Sequence, residues 1–353
     1  MTVAPSSGRL LRADLHVHTR HSRLESMPVL GARDCYSEPR EAYILAKARG
    51  MDLVTFTDHN TIDGCLELLS EEGNLPDFFI SEEVSTRDPV TGCGLHVNVF
   101  GIDERIHGEI RRLRGNVREL LPFLEQEGIP AALNHIGSSL VRERVPGRDL
   151  VDLAGLFPLV ETRNGAQREG SNGLAASLAD ALEKGSRPVG RTGGSDAHTS
   201  RRIGWAWTEA DALDRTTFLS ALRGGRTIPR GKSARLAPLV RDVYRIVLAY
   251  YGDLAGNRRG HFSPEGRRKA AACALLCLPL HLVALPVLGT LVRHLRVHGA
   301  ARRHGRDLAR AMEAVPGDAM ARAGSRNRPG LPEAGFPALP EVAWVPRQES
   351  EEA

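Results

Sequence analysis

The chain has 353 residues, 41% of them apolar and 25% charged, with 36 Gly and 21 Pro. That balance excludes a collagen-like, low-complexity or disulfide-scaffold protein and leaves a globular chain long enough for one large α/β domain with an appendage. The formal net charge of +4 is unevenly spread: residues 1–230 carry 28 Lys+Arg against 32 Asp+Glu, and residues 231–353 carry 19 against 11.

An acidic part therefore precedes a basic one. The basic part reads either as a solvated Arg-rich tail or as a surface for nucleic acid or anionic lipid. The start, MTVAPSSGRLLRAD, has no apolar signal-peptide core. The five cysteines (Cys35, Cys65, Cys93, Cys273, Cys277) show no CxxC pair. Both features predict a cytoplasmic chain in a reducing compartment, without disulfides.

In chain order, seven short apolar runs end in polar residues: 11–18, 51–59, 77–85, 95–101, 128–135, 156–164 and 187–198. Their length and β-branched content predict buried strands. Between them lie helical patterns. Residues 37–50 open with Ser37 as N-cap, carry Pro39 in the first turn and stop at Gly50. Residues 105–127 and 172–184 read as further helices, 205–210 as a short extra strand, and 216–225 as a last helix. Alternating strands and helices predict a parallel sheet or barrel with helices outside. We place a domain boundary near residue 230. Beyond it, 231–322 reads as a basic, mainly helical region, starting with a helix over 234–251, and 323–353 as a disordered tail.

Residues 271–292 are 22 residues without a formal charge, flanked by Arg267, Arg268 and Lys269 on one side and Arg293 and Arg296 on the other. The length meets that of a bilayer span. Pro279 and Pro286 would kink it, so a buried helical hairpin stands beside a membrane contact as an alternative.

The histidines carry the functional signal. Six of the eight in residues 1–230 sit at or just beyond a predicted strand end: His16, His18, His59, His96, His135 and His198. In a βα barrel all strand C-termini open on one face. DLHVH puts His16 and His18 on the same side of a strand. TDHN adds Asp58, SEEVS adds Glu82 and Glu83, and GGSDAH adds Asp196. Imidazoles with carboxylates suit zinc, manganese or iron. Asp14 and Asp58 are candidates to orient the histidines. Arg163 and Arg191 are candidates to clamp a phosphate, with rim salt bridges as the alternative.

The succession DLHVHT, TDHNT, SEEVS, His96, NH at 134–135 and GGSDAH resembles the PHP (polymerase and histidinol phosphatase) superfamily over about residues 10–210. The resemblance implies a distorted (βα)7, TIM-like barrel, two or three divalent ions and hydrolysis of phosphate esters. Carried over to this sequence, His16 and His18 would hold a first ion with Glu83 and Asp196. Glu83 would bridge to a second ion held by His96 and His135, and His59 and His198 would hold a third. Glu83 takes the bridging place because it directly precedes the apolar Val84; alternation turns Glu82 away. The sequence departs from the family where Arg23 and Leu24 stand in place of a third-ion ligand. Asp34 or His21 could substitute. The expected substrate is a small phosphorylated molecule. A nuclease, a non-catalytic metal-binding or membrane-tethered regulatory module, and a hydrolase for a non-phosphate substrate remain open.

Overall fold

A computed structural model describes residues 10–22, 32–256, 264–278 and 280–313. The predicted tail lies outside them, as do Arg23 and Leu24. Among the described residues nine strands form two sheets. In the first, β1 (Leu10–Asp14) lies between β2 (Leu53–Val54) and β8 (Ala206–Asp211), and β9 (Ile228–Gly231) pairs with β8. The second runs in order through β3 (Ser81–Arg87), β4 (Gly94–Phe100), β5 (Ala131–Leu133), β6 (Leu159–Asn164) and β7 (Gly190–Gly194).

Two expectations need correction. The sheets are mixed, because β3–β4, β4–β5, β1–β8 and β8–β9 are antiparallel. Between β3 and β4 only residues 88–93 intervene, and the Asp88 N–H donates to Cys93 O at 2.9 Å. So short a connection cannot carry a parallel crossover. Nor do ladder hydrogen bonds run unbroken round a closed barrel. The sheets meet at three isolated parallel bridges, Val17↔Ala197, Val54↔Phe78 and His59↔Glu83. Past Asp14 the chain stays extended but is paired one residue at a time. Val17 N–H donates to Thr57 Oγ1 (3.1 Å) and His18 N–H to Ala197 O (3.1 Å).

The helices follow local chemistry. In α1 (Pro39–Ala48), Pro39 starts the helix, but Glu38 rather than Ser37 occupies the N-cap position. The helix expected over 105–127 is two, α3 (Glu104–Leu113) and α4 (Val117–Gln126). Each has its own side-chain cap: Asp103 accepts from Ile106 N at 2.8 Å and Asn116 from Arg118 N at 3.0 Å. The remaining helices flanking the sheets are α2 (Asp63–Glu72), α5 (Ile136–Ser139), α6 (Gly147–Ala154), α7 (Glu169–Lys184) and α8 (Arg215–Arg223), the last closed by an Asp214–Thr217 capping box.

Residue 230, the expected boundary, falls inside β9. Helix α9 (Leu236–Gly256) follows, then α10 (Pro264–Leu276), a π-helical stretch over Leu280–Gly289 that contains Pro286, and α11 (Thr290–Glu313). Helix α11 enters the main core, burying Ala301 and Leu308 with residues of α4, α6 and α7. A Cβ on Gly147 would sit 2.5 Å from the Asp307 carbonyl oxygen, so only glycine lets α6 start this close to α11. Among the described residues no helix is long and apolar enough to cross a membrane.

Candidate metal centre

The site is built where the ladders end. Asp14, the last residue of β1, is buried and accepts from the backbone N–H groups of His16 (3.3 Å), Ser195 (2.8 Å) and Gly204 (2.7 Å). It thereby ties β1 to the segment after β7. Gly194 makes the contact close: a Cβ there would lie 2.3 Å from His16 Cβ and 2.7 Å from His16 N. Asp58 plays a similar part, accepting from Thr19 N (2.6 Å) and Thr19 Oγ1 (2.7 Å). The hydrogen bonds of both carboxylates go to backbone N–H groups and to the Thr19 hydroxyl beside the histidines, not to an imidazole ring. Burial pushes both carboxyls up, Asp14 to about 6 and Asp58 to about 7, against those hydrogen bonds.

Glu83, fully buried on β3, is the centre. Its Oε2 lies 3.3 Å from His16 Nε2, 3.5 Å from His18 Nε2 and 3.1 Å from His59 Nδ1. Its Oε1 lies 3.2 Å from His96 Nδ1 and 3.0 Å from His135 Nε2, and accepts from Asn134 Nδ2 at 2.8 Å. Asp196 Oδ1 stands 3.6 Å from His16 Nε2, 3.5 Å from His18 Nε2 and 3.3 Å from His198 Nδ1. Asp34 Oδ2 stands 3.4 Å from His59 Nε2 and 3.7 Å from His198 Nε2. His21 lies apart, 2.8 Å from Glu67. Glu82 points to the other face, 2.8 Å from His107 on α3.

Four groups of three donors therefore cluster, each with its ligand atoms within 4.8 Å of one another: His16/His18/Asp196, His16/Glu83/His135, His59/Glu83/His96 and His18/His59/His198. Around an ion bonded at about 2.0–2.2 Å, neighbouring ligand atoms lie roughly 3–3.6 Å apart, the spacing found between these groups. Among the described residues five convergent atoms are buried without a hydrogen-bond partner: Nε2 of His16 and His18, Nδ1 of His59 and His96, and Oε2 of Glu83. A buried polar atom left unpaired costs about 1–3 kcal/mol. Shared cations satisfy such a set together, so the donor set fits divalent metal ions.

The electrostatics follow from this crowding. Burial alone would raise Glu83, but the imidazoles of His16, His96 and His59 hold it well below the usual carboxylate range. Asp196 is likewise held low against burial, by His16 and His18. Burial and the neighbouring His198 push His18 down to about 3, which keeps it a neutral imidazole with a lone pair to offer. Three non-glycine residues at these strand ends have positive φ: Asn60 (56°), His135 (22°) and Asp196 (50°). Asn, His and Asp tolerate that conformation best, and the strain turns the last two side chains into the cluster.

One residue escaped the sequence reading. Glu161 on β6 lies 2.8 Å from His16 Nδ1 and accepts from His135 N (3.0 Å) and Asn164 Nδ2 (2.8 Å). The motif around it, ETRN, drew attention to Arg163. The ladder to β7 slips between Glu161 and Arg163, which breaks the alternation that would have singled out the inward residue. Arg163 pairs with Glu169 (2.8 Å) and Arg191 with Asp180 (2.6 Å) and Glu183 (3.2 Å) on α7. Their charges are engaged in these partly exposed rim pairs, the alternative that the sequence left open beside a phosphate clamp. All five cysteines are free thiols.

Residues 169–227, which include the GGSDAH motif, match the family model described as PHP-associated. Over that stretch the chain is similar to PHP-associated proteins. It is also 34% identical over 91 residues to an uncharacterized protein, MJ1587, of Methanocaldococcus jannaschii. That match covers 25% of this chain and 53% of the relative, so the chain spans about half the length of the curated protein it matches. Two solved structures are more distantly similar. PsfC from Pseudomonas syringae shares 16% identity over 69% of this chain and 99% of its own, with a TM-score of 0.45. The lesion-specific endonuclease PfuEndoQ from Pyrococcus furiosus shares 15% over 84% and 90%, with a TM-score of 0.43. Likeness of that degree identifies no substrate.

Proposed function

We propose that this PHP domain binds two or three divalent ions (Mn, Zn or Fe) and hydrolyses a phosphate ester of a small molecule. The observation that carries the reading is Glu83, one buried carboxylate facing five imidazoles across its two oxygens. A carboxylate so surrounded suits bridging between neighbouring ions. On this reading His16, His18 and Asp196 hold one ion with Glu83, His96 and His135 a second, and His59, His198 and Asp34 a third. The three isolated bridges between the sheets support describing the scaffold as an interrupted (βα)7 barrel.

Divalent ions at such sites supply Lewis acidity toward a phosphoryl oxygen and toward the attacking water. The chain's own residues prepare that chemistry. Glu161 holds the His16 ring, Ser22 Oγ lies 3.2 Å from His18 Nδ1, and Asn134 fixes Glu83, so the donors need no rearrangement to act. His96, about a third exposed, marks the solvent side, where substrate would enter.

The test is hydrolysis of p-nitrophenyl phosphate by the metal-stripped full chain, resupplied with Mn²⁺ or Zn²⁺. Activity that returns with metal and is lost in Asp196→Ala supports the reading; activity indifferent to both sinks it. A second reading, a nuclease, has one observation behind it. Arg144, Arg303, Arg306 and Arg310 line a pocket of about 380 Å³ between the start of α6 and α11. Cleavage of single-stranded nucleic acid with a steep salt dependence would favour it.

A further inference from the structure

Eight of the fourteen exposed large apolar side chains among the described residues fall between Leu275 and Leu295. Leu276 is 84% exposed, Leu275 70%, and Leu280, Leu288 and Leu295 each more than half. The segment is anchored on its other side. Ala270 and Ala274 of α10 are buried against Tyr250 and Leu254 of α9, and Tyr251 Oη donates to Ala274 O at 2.9 Å. Val297, Ala301 and Leu308 bury the inner face of α11. The exposed leucines therefore lie on the side of this segment that is not packed against α9. Exposed apolar side chains gathered in one segment mark an interaction surface.

Charge identifies the occupant. From Gly266 to Arg306 the sequence has no Asp or Glu and eight Lys or Arg: Arg267, Arg268 and Lys269 before the apolar run, and five arginines from Arg293 onward. Arg293, Arg296, Arg302, Arg303 and Arg306 are exposed. A second copy packed by two-fold symmetry sets the same patch on itself and brings these like charges together. A nucleic acid gains nothing from leucines, and the segment holds no Phe, Tyr or Trp on which a base could stack. Exposed apolar side chains flanked along the chain by cations match a bilayer with anionic headgroups.

We propose that the segment formed by the end of α10, the π-helical stretch and the start of α11 docks in the plane of an anionic membrane, leucines inserted and arginines on the headgroups. It lies on the bilayer and does not cross it.

The test is co-sedimentation of the full chain with vesicles of phosphatidylcholine alone and of phosphatidylcholine with phosphatidylglycerol. Binding is expected only to the anionic vesicles and is weakened by salt. Leu276→Asp/Leu288→Asp should lower it at least about tenfold. Arg293→Ala/Arg296→Ala should lower it about fivefold per arginine. Circular dichroism of both variants should match the parent chain. No binding to anionic vesicles, or equal binding by the parent and both variants, overturns the proposal. So does a dimer in sedimentation velocity that the leucine variant dissolves without any vesicle binding by the parent chain; the patch would then be a contact between copies.

Discussion

Glu161 Oε1 and His16 Nδ1 lie 2.8 Å apart, both buried, while His16 Nε2 faces Glu83 on the opposite edge of the ring. With its proton on Nδ1, donated to Glu161, His16 presents a lone pair at Nε2. Glu161→Gln keeps the shape but removes the charge that favours this tautomer. We expect metal affinity to fall by about 10- to 100-fold with the fold retained. Calorimetric titration of Mn²⁺ or Zn²⁺ into the stripped variant checks this; unchanged affinity would show Glu161 to be structural only.

Glu83→Gln leaves five imidazoles without their shared carboxylate. Metal content by elemental analysis should drop, and p-nitrophenyl phosphate hydrolysis should fall below detection. Circular dichroism should stay that of the parent chain. A variant retaining full activity would remove Glu83 from the reading.

Stability should track metal. An ion that binds only the folded state at a hundred times its Kd adds about 2.7 kcal/mol. Chelation should therefore lower the Tm of the parent chain and leave that of Glu83→Gln nearly unchanged. The same loss in both proteins would place the chelator's effect elsewhere.

Arg202 is almost wholly buried in the segment after His198 and pairs with Asp242 of α9. Removing one partner of a buried pair costs about 3–5 kcal/mol because the other charge is stranded. Asp242→Ala should lose stability on that scale in urea unfolding, and Arg202→Met should restore part of it in the double variant. A chain ended at residue 230 lacks Asp242, Ala301 and Leu308, and should be less stable than the full chain. Equal stability would make the C-terminal helices an appendage.

Most of the donor residues stood out in the sequence because they close a short apolar run; His96 instead opens one, and reaches the cluster because β4 runs antiparallel to β3. His16, His59, Glu83, His135 and Asp196 needed no tertiary knowledge to be noticed. Strand direction did need it. Residues 88–93 look like any loop until the β3–β4 pairing makes them a hairpin. Glu161 and Arg163 share one motif, and only the slipped register of β6 on β7 separates the residue that faces the cluster from the one that does not. For 271–292 the sequence weighed apolar length against two prolines. In the structure Pro286 is taken up within the π-helical stretch, and the polar His281 lies 2.9 Å from the Tyr251 hydroxyl.

The donors enter the chain in a definite order during synthesis. His59, Glu83 and His96 emerge within one contiguous stretch, so that trio is available as soon as β2, β3 and β4 have left the ribosome. His16 and His18 emerge earlier still, but their partner Asp196 follows only after β7, and β1 acquires its antiparallel neighbour later again, with β8. A nascent chain thus holds an unfinished set of imidazoles until β7 and the residues after it have emerged. Whichever ion it meets in that interval has a first claim on the site.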